Sequence, residues 1–424
     1  TDYCLSYPKI SKTFLIKSKI KIFLFFIFNI IFFKLKANGV VIVSNTYFKY
    51  KNLFTLSKLL DRRLIVFNNS DRLNSIKCSY VDIRARTHLV DNFVSSNEFE
   101  DIINLLLPFH IPSSYIESFK IVKSQIPKNI LKLENPIILS ANSLAHDEIF
   151  KVCVSELTER KSGTLLISQH GGNSGLASIV PEDDFLRSVA DNYLTWGWSD
   201  SIDLKLIPLS PSRLINHKKW DHKKTYKNKI LFVGGTIPKF TVDFRFMPSQ
   251  RRQYLNDQKE FAGSLSDHVL KNIVVRPYHD NIRSEILSLW PIKESQFESW
   301  DIKIIKSIND SSLFICDHLM TTFIEALVMN IPTILFSNES YPDGIIRANG
   351  KLIISKLKQA KLFYNNPKLA ANFVNEIYPD GINSWWFSDE VQEARKDFCK
   401  FYANISNEPF HEWANFLNNL DKSK

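Results

Sequence analysis

Short, wholly apolar runs alternate with longer segments of helical periodicity along most of the chain, and this alternation limits the possible folds more than any other feature. In the first half, strands are predicted at residues 39–45, 63–67, 136–140 and 163–168, and helices at 53–60 and 147–160. Strand, helix and strand at this spacing form a βαβ unit. The first half therefore predicts an open, parallel α/β sheet.

A polar break separates this half from a second one of the same kind. Residues 210–228 carry no apolar periodicity, which is typical of a linker or loop. Beyond it, strands are predicted at 229–233, 272–276, 312–316 and 333–336, and helices at 249–270 and 322–329. The chain has 424 residues, which is enough for two domains that each bury a core.

Charge and cysteine usage narrow the partners and the compartment. The formal net charge of +10 favours anionic partners. No zinc-finger spacing or aromatic RNA-binding run accompanies it, so we expect no nucleic acid. The five cysteines are scattered and never form a C-x-x-C pair, which indicates a reducing compartment, the cytoplasm, and no structural zinc.

The N-terminal segment is basic and strongly apolar. Residues 22–33 are interrupted only by Asn29, a run shorter than the roughly 20 apolar residues of a membrane-spanning helix. No small-residue cleavage site follows, so we expect no signal peptide. Two interpretations remain: a buried first helix, or an anchor lying on the inner face of the cytoplasmic membrane. The lysines that would then face anionic headgroups are Lys12, Lys17, Lys19, Lys21, Lys34 and Lys36.

Two predicted strand-end loops in the second half carry the residues of a nucleotide site. Thr321 and Thr322 stand where a helix begins, and the unpaired N–H groups and dipole of that end favour a phosphate. Glu325, one turn later, can accept hydrogen bonds from ribose hydroxyls. The alternative is an ordinary helix with Thr as its N-cap. After strand 272–276, Arg276 can bind phosphate or carboxylate, and His279 can donate to a phosphate oxygen or contact the base.

These loops resemble the donor site of the bacterial β-Kdo transferases of capsule and O-antigen assembly. That family has a His-Pro-Asp-like loop, a Ser-Ser helix start leading to Glu-Ala-Leu, and a Gly-x-Pro strand. The matching segments here are Pro277-Tyr278-His279-Asp280, Thr321-Thr322-Phe-Ile-Glu325-Ala-Leu and Asn330-Ile-Pro332. This chain departs in having Thr for Ser and in placing His279 after the proline.

Further segments are similar to a group of transferases encoded in O-antigen clusters, over most of residues 130–420. These segments are Gln169-His-Gly-Gly-Asn-Ser-Gly175, residues 188–198, and Asn256-Asp-Gln258. The run Glu182-Asp-Asp-Phe-Leu-Arg-Ser188 is also similar to an acidic motif of the capsule enzymes, with Asp184 where that motif has Gly.

Two α/β units joined by a linker predict a GT-B-like fold, with two Rossmann-like domains facing a cleft and C-terminal helices crossing back to the N-terminal domain. The expected parts are a basic and apolar helix (1–36), an acceptor domain (37–222), a nucleotide-sugar domain (223–380) and the C-terminal helices (381–424). The resemblance implies a glycosyltransferase that moves a Kdo-like nonulosonic acid from a CMP-sugar donor to a growing cell-surface glycan. That donor carries one phosphodiester and one carboxylate, so we expect no metal or other cofactor.

The resemblance also implies retention through a covalent glycosyl-enzyme. In the capsule enzymes the nucleophile lies just after the first strand of the second domain. Asp243 occupies that place, with Lys239 and Arg245 nearby to keep it ionised or to bind the donor carboxylate. Asp257 is a competing carboxylate, and its alternative is a solvated helix position. The alternative for Asp243 is a role in loop capping.

His170 and Glu182 are candidates for activating the acceptor. Their alternatives are a tight Gly-Gly turn after His170 and a solvated acidic loop around Glu182. Two other functions stay open for the whole chain. One is a GT-B transferase or epimerase that uses a UDP- or GDP-sugar, and the other is a non-catalytic, membrane-associated assembly protein.

Overall fold

The computed structural model describes residues 39–68, 80–178, 180–220, 228–235, 248–278, 283–338 and 346–420. Residues 1–168 together with 413–424 make up one compact unit, and residues 169–412 make up the other. The predicted first helix (1–36) lies outside the described residues. So does the predicted domain boundary at 222/223, which falls within 221–227.

The described strands form two parallel sheets. The first has six strands in the order β2-β1-β3-β4-β5-β6, and the second has five in the order β11-β10-β9-β7-β8. Their bounds are β1 Val40–Ser44, β2 Arg63–Val66, β3 Ile137–Ser140, β4 Thr164–Ser168, β5 Asn192–Thr195, β6 Leu206–Pro208, β7 Ile230–Val233, β8 Ile273–Arg276, β9 Leu313–Cys316, β10 Thr333–Phe336 and β11 Phe363–Tyr364.

Each sheet is built outward from its first strand, which therefore has neighbours on both sides. In the first sheet Ile42 of β1 pairs with Ile65 of β2 and Ile138 of β3. In the second, Leu231 of β7 lies between β8 and β9. The central strands are apolar at nearly every position because helices cover both faces of a parallel sheet.

The described α-helices are α1 Tyr50–Leu59, α2 Ile83–His88, α3 Glu98–His110, α4 Phe119–Ser124, α5 Ser143–His146, α6 Glu148–Lys161, α7 Pro181–Val189, α8 Arg251–Gly263, α9 Asp267–Asn272, α10 Arg283–Leu289, α11 Ile304–Asn309, α12 Thr321–Met329, α13 Ala348–Gln359, α14 Pro367–Ile377, α15 Ile382–Trp386, α16 Asp389–Tyr402 and α17 Pro409–Asn419. Short 3₁₀ helices occur at Ser113–Tyr115, Pro248–Gln250 and Glu294–Gln296.

The predicted GT-B-like class, a pair of Rossmann-like α/β domains, is confirmed by these two sheets. The single helix predicted over 249–270 is wrong: it is divided into α8 and α9. Gly263 ends the first helix, and the side chain of Ser266 caps the second by accepting a hydrogen bond from the backbone N of Val269. A polar cap at this position outweighs the continuous helical pattern.

The end of the chain packs onto the first unit, as the sequence predicts. The Trp413 ring meets Phe48 edge-on, with 5.1 Å between the ring centroids. Asn418 accepts a hydrogen bond from the backbone N of Asp61 at 3.0 Å. The described helices include none that is long and apolar enough to cross a membrane.

Candidate functional site

The second sheet has a crevice at the carboxyl ends of its strands. The chain runs from β7 to β8 on one side of β7 and then returns to β9 on its other side. Ligands of open α/β sheets bind where the strand order reverses in this way. The loop after β7 contains Gly234 and Gly235, and the loop after β9 begins with Asp317 and His318.

A buried carboxylate joins these two loops. Oδ1 of Asp317, whose side chain is 2 % exposed, accepts a hydrogen bond from the backbone N of Gly235 at 2.8 Å. Its Oδ2 accepts from Nε2 of Gln258 on α8 at 2.5 Å. The Gly235 N also lies 2.8 Å from the hydroxyl of Tyr254. The contacts of Asp317 and Tyr254 thus fix the loops after β7 and β9 against α8.

His318 carries this network to the start of α12. Its Nδ1 lies 3.0 Å from Asp317 Oδ1, and its Nε2 lies 3.0 Å from the Thr322 hydroxyl. A carboxylate beside Nδ1 favours the tautomer with its proton on that nitrogen, so Nε2 accepts from Thr322. The arrangement holds the predicted site residue Thr322 in one orientation. Sequence reasoning missed Asp317 and His318, although both follow directly after a predicted strand.

The helix α12 begins without a side-chain cap. Met320 is the N-cap residue and makes no capping hydrogen bond, so the alternative in which a threonine caps the helix is wrong. Thr321 is the first helical residue, and its hydroxyl accepts a hydrogen bond from the backbone N of Gly172 at 3.1 Å. The first backbone N–H groups of an α-helix have no acceptor within the helix.

The loop 169–175 closely approaches this helix start. A Cβ atom at Gly172 would lie 2.7 Å from Ile324 Cδ1 and 3.0 Å from the Thr321 backbone N, so only glycine fits there. Gly171-Gly172 is therefore more than a tight turn after His170. It is the place where the loop packs against the backbone of α12.

Gln169 fixes the same loop from its other end. Its Oε1 accepts hydrogen bonds from the backbone N of Trp196 at 2.9 Å and from Nε1 of Trp198 at 2.8 Å. Gly175 has φ +75°, and a Cβ there would lie 2.3 Å from the Trp198 ring. The two segments singled out by the O-antigen-cluster resemblance, 169–175 and 188–198, are thus one packed structure.

Glu325, the predicted ribose ligand, is buried one turn into α12. Its Oε1 accepts a hydrogen bond from Nε of Arg213 at 3.1 Å and lies 3.7 Å from Nε2 of His217. Its Oε2 is buried and has no hydrogen-bond partner within the described part of the chain. A buried, unpaired carboxylate oxygen costs about 1–3 kcal/mol or more, so an added donor is favoured there.

Arg276, the predicted phosphate ligand, lies at the end of β8 with its side chain 4 % exposed. Its Nη1 donates to Glu298 Oε2 at 2.9 Å and to the Ile302 carbonyl at 2.8 Å. The guanidinium also lies 4.7 Å from the centre of the half-exposed Trp300 ring. Burial raises the pKa of Glu298, but hydrogen bonds from Ser307, Arg276 and Lys229 and the charge of Lys229 outweigh it and leave that pKa lowered.

The other predicted site residues fall into three groups. Asp243, Lys239, Arg245 and His279 lie outside the described residues, so their roles stay predictions. Asp257 is buried on α8 and accepts from Gln253 Nε2 at 2.7 Å, which differs from a solvated helix position. His170 and Glu182 line a cavity of about 80 Å³ beside Thr321, and Glu182 belongs to the first turn of α7 and not to an acidic loop.

Asp183 also lines this cavity, and the residue is 6 % exposed. It accepts a hydrogen bond from the Tyr193 hydroxyl at 2.9 Å. Burial raises the pKa of Asp183 from 3.8 to about 6, and the neighbouring charges of Glu182 and Asp184 add to this effect. The folded protein therefore favours the neutral carboxyl group more strongly than the unfolded chain does.

Asp183→Asn should make folding less sensitive to pH. In the native protein the advantage of the neutral carboxyl is complete below pH 3.8 and is lost as the pH rises through about 6. A shift of two pKa units corresponds to on the order of 3 kcal/mol. Urea unfolding at pH 4 and pH 7 should show the variant gaining up to that amount relative to wild type at the higher pH. A difference between the two proteins that is independent of pH would contradict the raised pKa.

Comparison with known proteins gives a family for this chain. The model of the LIC12162 family transferases matches residues 4–417. No functionally curated protein matches the chain. Its overall fold is similar to three solved structures: MurG of Acinetobacter baumannii (12% identity, TM-score 0.41, 91% of this chain and 100% of that chain), MnaA of S. aureus with UDP (11%, 0.42, 91% and 96%) and an α,α-trehalose-phosphate synthase of Burkholderia vietnamiensis (10%, 0.43, 91% and 97%). The likeness at these values concerns architecture alone. The match to the family model, which spans nearly the whole chain, is the decisive one: the chain belongs to the LIC12162 family of transferases.

Proposed function

We propose that this transferase is a glycosyltransferase that binds the nucleotide of an activated sugar at the start of α12. One observation carries the proposal: an uncapped helix start with Thr321 and Thr322, followed one turn later by the unpaired buried Oε2 of Glu325. A helix start of this kind favours a phosphate. If the phosphate binds at the helix start, a ribose hydroxyl of the same nucleotide can donate a hydrogen bond to Glu325 Oε2, one helical turn away.

The hydrogen-bond donors at the start of α12 support a sugar nucleotide with a single phosphate. The N–H groups at the start of α12 and the Thr321 hydroxyl suffice for one phosphodiester. A pyrophosphate would need a second set of donors, and among the described residues the Gly-Gly pair after β7 is a backbone candidate in the same crevice. The N–H of Gly235 already serves Asp317 and Tyr254. This favours a CMP-sugar over a UDP- or GDP-sugar, and we propose a nonulosonic acid as the sugar.

We also propose an acceptor, a metal requirement and roles for the residues of the loop after β8. The acceptor is a growing cell-surface glycan, and the reaction needs no metal ion. Arg276 stays in the proposed donor site, where its contacts with Glu298 and Trp300 brace the loop after β8. His279 belongs to the same loop and is proposed as a nucleotide contact.

The proposed reaction proceeds with retention in two displacements. A carboxylate oxygen of Asp243 attacks the anomeric carbon, the bond from that carbon to the phosphate oxygen breaks, and CMP leaves with the bonding electrons. An acceptor hydroxyl then attacks the same carbon and displaces the carboxylate. Its proton passes to His170 or Glu182, the candidate bases beside the helix start. Lys239 and Arg245 are proposed to keep the Asp243 carboxylate ionised.

Thr321→Val and Glu325→Gln should each weaken CMP binding by about 1–3 kcal/mol, because each removes a charge-assisted hydrogen bond to the nucleotide. Isothermal titration calorimetry with CMP measures the effect. Thr158→Val is the matched control, since the Thr158 hydroxyl bonds only within its own helix, to the carbonyls of Val154 and Ser155. Unchanged CMP affinity in both site variants would remove the site.

Incubation with the CMP-sugar in the absence of acceptor should leave one sugar attached to the native protein, as detected by intact mass spectrometry. Asp243→Asn keeps the shape of the side chain but removes its nucleophilic charge, so the adduct and turnover should disappear while CMP still binds. An adduct mapped to Asp257 would make Asp257 the nucleophile and leave the two-displacement mechanism unchanged. A product of inverted stereochemistry would exclude that mechanism and, with it, a nucleophilic Asp243.

We propose further that the protein works on a membrane surface. The segment 12–36 lies outside the described residues, but α3 supplies an independent observation. Several large apolar side chains of this helix point into solvent, among them Phe99 (70 % exposed), Leu105 (69 %) and Phe109 (70 %). An exposed apolar face of this size is typical of a membrane or protein contact.

Replacing both Phe99 and Phe109 by Ser should reduce co-sedimentation with phosphatidylglycerol vesicles several-fold, because both rings would otherwise insert into the lipid. Phe401→Ser, at another exposed phenylalanine, is the control. Equal vesicle binding by all three proteins would remove α3 from the membrane contact.

A further inference from the structure

The cavity of about 80 Å³ beside the proposed nucleotide site has features that nucleotide binding does not explain. It lies between the first turn of α7 and the first turn of α12, and the loop 169–175 closes it. The cavity has room for a polar group of a larger ligand.

Asn173 supplies a hydrogen-bond donor without an acceptor. The residue is 5 % exposed, and its Nδ2 is buried with no hydrogen-bond partner among the residues that the structure describes. An amide buried in this state is costly, and nearly all such groups in proteins have a partner. Because Asn173 lines the cavity, an acceptor placed there would supply the missing partner.

Two helix starts direct their positive dipole ends at the cavity, although Pro181, the first residue of α7, contributes no N–H. Neither Val180, the N-cap of α7, nor Met320, the N-cap of α12, makes a side-chain capping hydrogen bond. Both residues line the cavity, so the positive ends of two nine-residue helices meet there. Together with the Nδ2 of Asn173, they make the cavity a site for an anionic group.

The acidic residues on its wall limit the charge of that group. Glu182 and Asp183 both line the cavity. A phosphate with two negative charges would be repelled by them twice as strongly as a carboxylate with one.

We propose that this cavity binds the carboxylate of the sugar being transferred, with Asn173 Nδ2 as its principal donor. The inference rests on the proposed function, because the start of α12 would hold the nucleotide phosphate on one side while Thr321 also lines the cavity. Phosphate and carboxylate are then held by neighbouring donors. Asn173 is a residue that selects acidic sugars over neutral ones.

Asn173→Ala tests the carboxylate subsite by calorimetry with CMP alone, CMP-Kdo and CMP-N-acetylneuraminate. Both sugars carry a carboxylate on the anomeric carbon. Wild type should bind at least one of them about tenfold more tightly than CMP, and the variant should lose that gain while its CMP affinity changes less than twofold. Asn173→Asp keeps the shape and reverses the polarity, so it should weaken the sugar nucleotide further.

The methyl ester of the same sugar nucleotide gives a second readout that a folding defect does not imitate. Wild type should discriminate against the ester about tenfold, and Asn173→Ala should not discriminate. If CMP binds but the variant retains full discrimination, the carboxylate subsite is wrong and the proposed function stands. If Asn173→Ala weakens CMP and the sugar nucleotide equally, Asn173 is structural and the subsite is again wrong. If wild type binds none of the three nucleotides, both proposals fail.

Discussion

The buried carboxylate of Asp317 is the constraint on which the candidate site depends. It lies at the carboxyl end of β9, where it accepts hydrogen bonds from the loop after β7 and from α8, and it contacts His318. Through His318 it also sets the orientation of Thr322. Burying a carboxylate is costly unless its oxygens accept hydrogen bonds, so the pairing of Asp317 leaves this network little freedom to rearrange. The start of α12 is consequently a rigid surface, which is the condition for binding a phosphate with little loss of conformational entropy.

The loop 169–175, which follows β4, brings hydrogen-bond donors to the start of α12. Gln169 ties that loop to the Trp-Gly-Trp segment, and Gly172 allows its backbone to approach α12 without a side chain in between. The result is a cavity where two uncapped helix starts and the unpaired amide of Asn173 face one volume. Among the described residues, the helix starts offer backbone N–H groups to this surface, whereas the cation Arg276 is engaged by Glu298. Recognition by N–H dipoles favours small anionic groups, in agreement with the proposed carboxylated sugar and single phosphate.

The sequence predicted the sheets better than the contacts of the side chains. Apolar runs such as 230–233 and 313–316 are stable in the middle of a parallel sheet, where both faces are covered. Their pattern alone therefore predicts these strands. Thr321 and Glu325 could be predicted as candidates because strand ends and helix starts leave a local signature in the sequence. Asp317 and Gln258 belong to the site through a contact between residues 59 positions apart, which no local pattern encodes. Arg276 has the right position for a phosphate ligand, but its partner Glu298 lies on a segment that had no predicted role.

We propose that the phosphate of a bound nucleotide lies at the start of α12. A crystal structure of the complex with CMP would show whether it does. We expect the phosphorus atom to lie beside the backbone N–H groups of Thr321 and Thr322. A ribose hydroxyl should lie within hydrogen-bond distance of Glu325 Oε2. A nucleotide bound instead at the carboxyl edge of the first sheet, or a complex in which Glu325 Oε2 stays unpaired and the helix start is empty, would contradict this proposal.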